Sequence, residues 1–144
     1  MTSLVFPDIN VWLALAHSVH PHHRAALTWG ESLDPGCKFY FCRVSQLSLL
    51  RLLSNQGVMG IDVATQAEAW RIYDLFYEDG RTYLIDEPRG LEDLLRARTT
   101  KQRSSTKEWA DEYFVAFAES AGLTFVTFDR ALARRTRGSI LLAA

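Results

Sequence analysis

The sequence predicts an α/β protein in which helices cover both faces of a central, mostly parallel sheet of four to five strands. Short apolar or β-branched runs recur along the chain, as the strands of a buried sheet require. Between these runs lie longer segments whose apolar residues repeat at helical spacing. Strands that alternate with helices favour a parallel sheet. The length of 144 residues suits one domain of ordinary size, so we expect a single domain over residues 1–144.

In the first half of the chain, turn and helix-start signals separate the expected elements. The first apolar run stops at Pro7-Asp8, which predicts the end of a strand. Pro21 suits the first turn of the second helix, and a turn at 34–36 precedes the second strand. The expected order is a strand at 4–6, helices at 10–16 and 21–33, a strand at 39–41 and a helix at 45–53. The residues of this last helix that are spaced to face a core are Leu47, Leu50 and Leu53.

The second half of the chain continues the alternation of strands and helices. After a loop at 55–60, we expect a helix at 65–77, a strand at 83–85, a short helix at 91–98 and a mobile polar loop at 99–106. Ser105 and Glu108 form a capping-box pattern, which predicts a helix that runs to Ser120 and ends at Gly122. Its expected core face comprises Ala110, Phe114, Phe117, Ala118 and Ala121. A buried strand at 123–128, a short helix capped by Asp129 and a strand at 140–142 follow.

The composition is that of a folded, water-soluble protein. Hydrophobic residues make up 48% of the chain and charged residues 23%, which argues against disorder. No apolar run approaches the roughly 20 residues that a membrane span needs, and Asp8 interrupts the first apolar stretch, so we expect no membrane association and no secretion signal. Cys37 and Cys42 bracket a predicted strand and are too far apart for a disulfide. Two free thiols suit the cytoplasm.

The total charge gives no sign of nucleic-acid binding, but its distribution does. The chain has 16 basic and 17 acidic residues, a formal net charge of -1. One basic cluster comprises Arg96, Arg98, Lys101, Arg103 and Lys107, and a second comprises Arg130, Arg134, Arg135 and Arg137. Each cluster fits a basic patch that attracts phosphate, and each fits a solvated helix face equally well.

Three aspartates are placed where a ligand site is expected. Asp8 and Asp129 each follow a predicted strand, and ligands bind outside the carboxyl ends of parallel strands. Asp111 lies in the second turn of the helix that leads into the strand before Asp129. Three converging carboxylates repel one another unless one is protonated or a cation compensates them. A hard divalent cation such as Mg²⁺ is the natural solution, and it activates water for phosphodiester attack.

Other polar residues near the same strand ends are candidate partners of the carboxylates. Asn10 and Thr127 are placed to hold a carboxylate or a metal-bound water by hydrogen bonds. Alternatives remain open for the aspartates themselves, because Asp8 and Asp129 are equally well placed as helix N-caps and Asp111 as an exposed helix residue. The four histidines at 17–23 lack the cysteines or second histidine pair that a zinc site usually adds.

Four segments of the chain carry recognisable motifs. Residues 8–13 fit the pattern D-x-N-x-x-L, and residues 109–118 are similar to W-x-D-x-Y-L-A-A-F-A. Residues 127–130 read T-F-D-R, and the helix at 46–53 is similar to a segment that ends in F-L-R-L-L. In this order and over nearly the whole chain, these motifs resemble those of the PIN-domain nucleases, in particular the VapC-type toxin ribonucleases of toxin–antitoxin pairs. The resemblance implies a PIN-like three-layer α/β/α domain.

The resemblance also implies an activity and partners. The expected protein is a Mg²⁺- or Mn²⁺-dependent endoribonuclease, a homodimer held inactive by a VapB-type antitoxin. The implied metal ligands are Asp8, Asp111 and Asp129. Trp12 and Trp70 are candidates for a groove that receives the antitoxin. The residues expected to hold RNA are Arg51, Lys101, Arg103, Lys107 and Arg130.

One departure from the family pattern concerns the third helix. The family usually has a glutamate there as a fourth acid, whereas this chain offers Gln46 or Ser48, depending on the alignment. Gln46 can still contact a metal or its water through the amide oxygen, so we count it among the catalytic residues and Ser48 among its neighbours. The departure motivates an alternative, a PIN-like module that binds antitoxin or RNA without cleavage. An aspartyl-phosphate phosphatase is disfavoured, because Asn10 occupies the position of its second aspartate.

Overall fold

The computed structural model describes residues 3–143, which form a five-stranded parallel sheet. The strands are β1 (Leu4–Pro7), β2 (Lys38–Phe41), β3 (Thr82–Leu84), β4 (Thr124–Thr127) and β5 (Ile140–Leu141). Their order in the sheet is β3-β2-β1-β4-β5, and every neighbouring pair is parallel. The predicted parallel sheet is therefore confirmed, with β1 at its centre.

Eight α-helices connect these strands within residues 3–143. They are α1 (Ile9–Ala16), α2 (His23–Ser32), α3 (Arg43–Leu53), α4 (Gln56–Met59), α5 (Gln66–Leu75), α6 (Leu91–Arg98), α7 (Glu108–Ala121) and α8 (Arg130–Arg134). None of the helices in this part of the chain combines the length and the apolar character that a membrane span requires.

Two apolar clusters lie on opposite faces of the sheet and give the molecule its three layers. Side chains alternate along a strand, so Val5 of β1 belongs to one cluster and Phe6 to the other. On the first face, Trp12 of α1 is buried and stacks on Phe41 with ring centroids 3.9 Å apart. On the second face, Phe6 stacks on Phe117 of α7 at 4.9 Å. The expected three-layer α/β/α arrangement is confirmed.

The buried face of α3 differs from the prediction. Leu53 is buried as expected, but Leu47 is 55% exposed and Leu50 is only partly buried. The helix turns Leu49 and Gln46 inward instead. Five leucines lie within seven residues of this helix, so the sequence pattern allows two apolar stripes, and packing against the sheet selects one of them.

The predicted capping box at the start of α7 is wrong. The helix begins at Glu108, and its N-cap Lys107 makes no side-chain cap. Ser105 Oγ instead donates a hydrogen bond to Glu108 Oε2 at 2.7 Å, so the two residues pair through their side chains. Phe114, Phe117 and Ala118 are buried as predicted, but Ala110 in the first turn is exposed.

Other differences are smaller. The loop expected at 55–60 contains the short helix α4, because Asn55 Oδ1 accepts a hydrogen bond from Val58 N and caps it. A 3-10 turn, Gly60–Asp62, follows. Helix α2 begins at His23, two residues after Pro21. Trp12 is only 1% exposed and is a core residue at the floor of a cavity of about 350 Å³, whereas Trp70 is 46% exposed. Cys37 and Cys42 are both free thiols, as predicted.

Candidate active site

Asp8 is a buried carboxylate at the carboxyl end of the central strand. It follows β1 directly and is 6% exposed. Its backbone N–H donates to Val126 O of β4 at 2.8 Å, which fixes the residue between the two strands. As the N-cap of α1, its Oδ1 accepts a hydrogen bond from Ile9 N at 2.7 Å. Its Oδ2 accepts a hydrogen bond from Thr127 Oγ1 at 2.8 Å.

The Thr127 hydroxyl connects Asp8 to Asp129. Thr127 ends β4 and is fully buried. Its Oγ1 donates to Asp8 and also accepts a hydrogen bond from the backbone N–H of Asp129 at 3.0 Å. Asp129 is the N-cap of α8, and its Oδ1 accepts a hydrogen bond from Leu132 N at 3.0 Å. Asp129 is an exposed residue, so its second carboxylate oxygen, Oδ2, remains available to a ligand.

Asp111 of α7 is the third carboxylate at this edge of the sheet. Burial raises its pKa to about 6, with the negative charges of Asp8 and Asp129 as the next causes. Arg135 acts in the opposite direction. The pKa of Asp8 is also raised. Burial is the largest cause and the charge of Asp129 the smallest, while the hydrogen bonds from Thr127 and Ile9 lower the pKa. The three carboxylates therefore lie close enough to repel one another.

A divalent cation fits this set of donors. Carboxylate oxygens are the hard ligands that Mg²⁺ or Mn²⁺ prefers. The positive charge of the cation would offset the repulsion between the carboxylates. Within residues 3–143, no three carboxylate, imidazole or thiolate groups converge closely enough to hold an ion directly between them. Mg²⁺ typically binds to one or two carboxylates and keeps several waters, so an open carboxylate cluster suits it better than a closed cage.

The other residues expected around the metal lie at the start of helices on the same edge. Gln46 is 4% exposed in the first turn of α3, and its Oε1 accepts a hydrogen bond from Arg43 Nη1 at 2.6 Å. Asn10 is exposed in the first turn of α1, and Ser48 is partly buried in α3. No hydrogen bond joins these three residues to the aspartates in the part of the chain that the structure describes.

The cations expected to hold RNA are all exposed, and they fall into separate regions. Arg51 lines a cavity of about 680 Å³ with Leu50 and Trp70. Lys101 and Arg103 line another cavity, of about 320 Å³, beside the start of α7. Lys107 precedes α7, and Arg130 opens α8 next to Asp129. Among them, Lys101 forms an ion pair with Glu108.

Glu112 is a charged residue of this region that the sequence analysis missed. It follows Asp111 in α7, is 6% exposed and binds Arg98 and Arg135. A weak signal for its burial is present in the sequence. Glu112 lies one helical turn before Val115 and Ala116, which are both buried.

Comparison with known proteins agrees with this fold. The family model for the PIN domain matches residues 5–138. Ribonuclease VapC41 of Mycobacterium tuberculosis is 44% identical over 128 residues, covering 86% of this chain and 88% of that protein. Ribonuclease VapC39 of the same organism is 26% identical over 133 residues, covering 92% of each.

Two solved structures share the fold at low sequence identity. VapC20 of Mycobacterium tuberculosis, described as a sarcin-ricin loop cleaving toxin, superposes with a TM-score of 0.68 at 13% identity and covers 98% of this chain and 100% of its own. VapBC2 from Rickettsia felis, bound to a DNA fragment from its promoter, superposes with a TM-score of 0.67 at 15% identity and 96% coverage of each chain. The chain therefore belongs to the PIN-domain family and, within it, to the ribonucleases of the VapC type.

Proposed function

We propose that this protein is a metal-dependent endoribonuclease whose Mg²⁺ or Mn²⁺ is held by Asp8, Asp111 and Asp129, directly by one or two of these carboxylates and through water by the rest. The observation that carries the proposal is the hydrogen-bonded arrangement of Asp8, Thr127 and Asp129 at one edge of the sheet, where burial and both aspartates raise the pKa of Asp111. The relationship to Ribonuclease VapC41 supports RNA as the substrate. A divalent cation bound there supplies Lewis-acid chemistry for hydrolysis of a phosphodiester bond.

The protein's own residues fix the geometry of the site. Asp8 is held by two hydrogen bonds, one to each carboxylate oxygen, so the orientation of its carboxylate is fixed. Thr127 Oγ1 also accepts a hydrogen bond from the backbone N–H of Asp129, which fixes Asp129 relative to Asp8. Asp111 carries a raised pKa and is the carboxylate that most needs a cation in order to ionise at low pH. We assign Gln46, Ser48 and Asn10 to the rim of the same site.

We assign five exposed cations, which lie in separate regions of the surface, to holding the RNA backbone. Phosphate contacts dominate the affinity of proteins for nucleic acids and weaken as salt rises. The residues that we assign to this role are Arg51, Lys101, Arg103, Lys107 and Arg130. Their exposure leaves the cationic heads accessible to phosphate.

We further propose a VapB-type antitoxin as a partner, a homodimer as the assembly and the cytoplasm as the location. The VapBC2 complex, which has a similar fold, supports the antitoxin. Trp70 is 46% exposed beside Leu50 and Arg51 and offers the aromatic anchor that protein interfaces favour. The free thiols of Cys37 and Cys42 suit a reducing compartment.

Cleavage of total RNA tests the catalytic proposal. We expect the purified protein to produce discrete fragments with Mg²⁺ or Mn²⁺ and none with EDTA. Asp8→Asn should abolish cleavage, because the amide lacks the charge that binds the cation. The fold should persist, because the asparagine oxygen still caps α1, while its amide N–H can donate to Thr127 Oγ1 in place of the hydrogen bond that Thr127 donates to Asp8.

The matched control is Asp74→Asn, which alters an exposed aspartate of α5. This variant should cleave RNA like the wild-type protein. Unchanged cleavage by Asp8→Asn, with circular dichroism like that of the wild type, would refute the assigned mechanism.

The second candidate function is binding without catalysis. The observation that favours it is that a neutral residue, Gln46, stands at the position of the family's fourth acid and is hydrogen-bonded to Arg43. Calorimetry with Mn²⁺ separates the two candidates. Heat of binding that disappears in Asp8→Asn supports the nuclease, whereas no Mn²⁺ uptake by the wild type supports the binding module.

A further inference from the structure

Gln46 offers its amide nitrogen, and not its amide oxygen, to a ligand. Its Oε1 accepts a hydrogen bond from Arg43 Nη1 at 2.6 Å. A guanidinium only donates, so the amide must turn its oxygen towards Arg43. Gln46 is 4% exposed, but Nε2 makes no hydrogen bond within residues 3–143 and is not one of the enclosed, unpartnered polar atoms of that range. The amide nitrogen therefore reaches solvent with its N–H donors free.

The sheet register places this amide close to Asp8. β2 is the parallel neighbour of β1, with Val5 opposite Phe39, so Asp8 and Cys42 follow their strands at the same level. Neighbouring strands lie about 4.8 Å apart. Cys42 is the N-cap of α3, and Gln46 comes one helical turn later, a rise of about 6 Å. Gln46 therefore lies at the same edge of the sheet as Asp8.

The start of α3 offers hydrogen-bond donors and positive charge. Arg43 is exposed and forms no ion pair with a carboxylate of residues 3–143. The amino end of this 11-residue helix adds a partial positive charge. A metal cation is repelled by both, and Arg43 already occupies the Gln46 oxygen. A phosphate oxygen is negative and only accepts hydrogen bonds, so it fits these donors.

We propose that the Gln46 amide NH₂ donates a hydrogen bond to a non-bridging oxygen of the RNA phosphate, and that Arg43 is a positioning residue that orients this amide. The inference rests on the proposed ribonuclease function. The site then has two parts. The aspartates hold the cation, and the start of α3 holds the phosphate. In this arrangement Gln46 is not a metal ligand, so it does not take over the role of the family's glutamate.

Gln46→Met tests this role, because methionine is a flexible side chain of similar volume without an N–H donor. Anisotropy of a fluorescein-labelled single-stranded RNA in EDTA measures RNA affinity without cleavage, and calorimetry with Mn²⁺ alone measures metal affinity. We expect RNA binding to weaken by about tenfold, because a hydrogen bond to a charged group is lost. Mn²⁺ affinity should stay within about twofold of the wild-type value, because no ligand of the ion is removed.

The matched control is Gln66→Met, which alters an exposed glutamine in the first turn of α5. This variant should bind RNA like the wild type. Equal RNA affinities of Gln46→Met and Gln66→Met would overturn the proposal. A loss of Mn²⁺ affinity in Gln46→Met would identify Gln46 as a metal ligand and overturn it as well. RNA binding by the wild type that disappears in EDTA would have the same meaning, because the proposed donors belong to the protein.

Nuclear magnetic resonance of the wild type gives a measurement that needs no stable Gln46 variant. The side-chain NH₂ signals of ¹⁵N-labelled Gln46, assigned through bonds, should shift when the single-stranded RNA is added in EDTA. The absence of a shift in an RNA-bound sample would refute the contact.

A double-mutant cycle tests the positioning role of Arg43. Arg43→Met should weaken RNA binding, and Gln46→Met should then add less than it does in the wild type, because the amide is no longer oriented. The RNA-induced shift of the Gln46 NH₂ signals should also be lost in Arg43→Met. Additive losses of affinity, or a shift that persists unchanged, would overturn the positioning role.

The readouts separate this inference from the proposed function. A wild type that cleaves RNA with an Asp8-dependent metal requirement, combined with unchanged RNA binding in Gln46→Met, would overturn this inference alone. A wild type that neither binds nor cleaves RNA would overturn both.

Discussion

Asp8 and Asp111 carry the same carboxyl group in two different environments. Asp8 is buried and accepts hydrogen bonds from Thr127 and Ile9, which favour its charged form and oppose the effect of burial. For Asp111, burial and two neighbouring aspartates raise the pKa to about 6, and the positive charge of Arg135 opposes this rise. Asp111 is therefore the residue through which pH should control the site.

The pH dependence should have opposite signs for folding and for metal binding. The pKa of Asp111 is raised in the folded protein, so the native state holds this proton more tightly than the unfolded chain. Its contribution to the stability of the metal-free protein should be present below about pH 4 and lost as the pH rises through about 6. Mn²⁺ affinity should rise over the same range, because the metal competes with the proton.

Calorimetry with Mn²⁺ at about pH 5 and about pH 7 checks the second half of this prediction, and urea unfolding in EDTA checks the first. The control is Asp111→Asn, in which this contribution to the pH dependence should disappear. Mn²⁺ affinity that is the same at both pH values would contradict the assignment of Asp111 as a ligand.

Gln46 offers a second test at the level of a single residue. If it lies at the rim of the metal site, Gln46→Glu adds a fourth negative charge and should tighten Mn²⁺ binding, by about tenfold when the new charge acts on the ion directly. Arg43 already binds Gln46 and would offset part of this gain. The matched control is Gln66→Glu, at an exposed position of α5, which should leave Mn²⁺ affinity unchanged. Identical affinities in the two variants would remove Gln46 from the site.

At the level of elements, α3 shows why a helix can be predicted while its buried face is not. The capping pair at its start is local, since Cys42 and Ser45 exchange hydrogen bonds across three residues. The choice between its apolar stripes depends on α1, α5 and the sheet, which the local sequence does not encode. The start of α7 was also predicted incorrectly, because Ser105 pairs with the Glu108 side chain and does not cap the helix.

Two leucines of α3 test this difference. Leu49 is fully buried, so Leu49→Ala should lower the free energy of unfolding by about 2–5 kcal/mol. Leu47 is 55% exposed, so Leu47→Ala should change it by less than about 0.5 kcal/mol. Urea denaturation of the two variants measures both values. A large loss in Leu47→Ala and a small one in Leu49→Ala would restore the face predicted from the sequence.

For the whole molecule, the alternation of strands and helices was sufficient to predict the parallel sheet and its three layers. The strand order β3-β2-β1-β4-β5 was not predictable, because it depends on pairings such as Val5 with Thr124 across most of the chain. The positions of Asp8 and Asp129 directly after two strands predicted that both residues lie at the same edge of the sheet. The contacts of Glu112 with Arg98 and Arg135 were missed, because they join residues 14 and 23 positions away that share no sequence pattern.

The hydrogen bond between Asp8 and Thr127 also bears on how the protein is synthesised. The two residues are 119 positions apart, and β1 reaches the sheet's centre only when β4 pairs with it. A growing polypeptide therefore presents Asp8 long before its partner exists, and contacts of such separation form late in folding. Ribosome-bound chains that stop before Thr124 lack Thr127 and Asp129. A chain that stops short of Asp129 lacks one of the proposed metal ligands, so truncated translation products should have no ribonuclease activity.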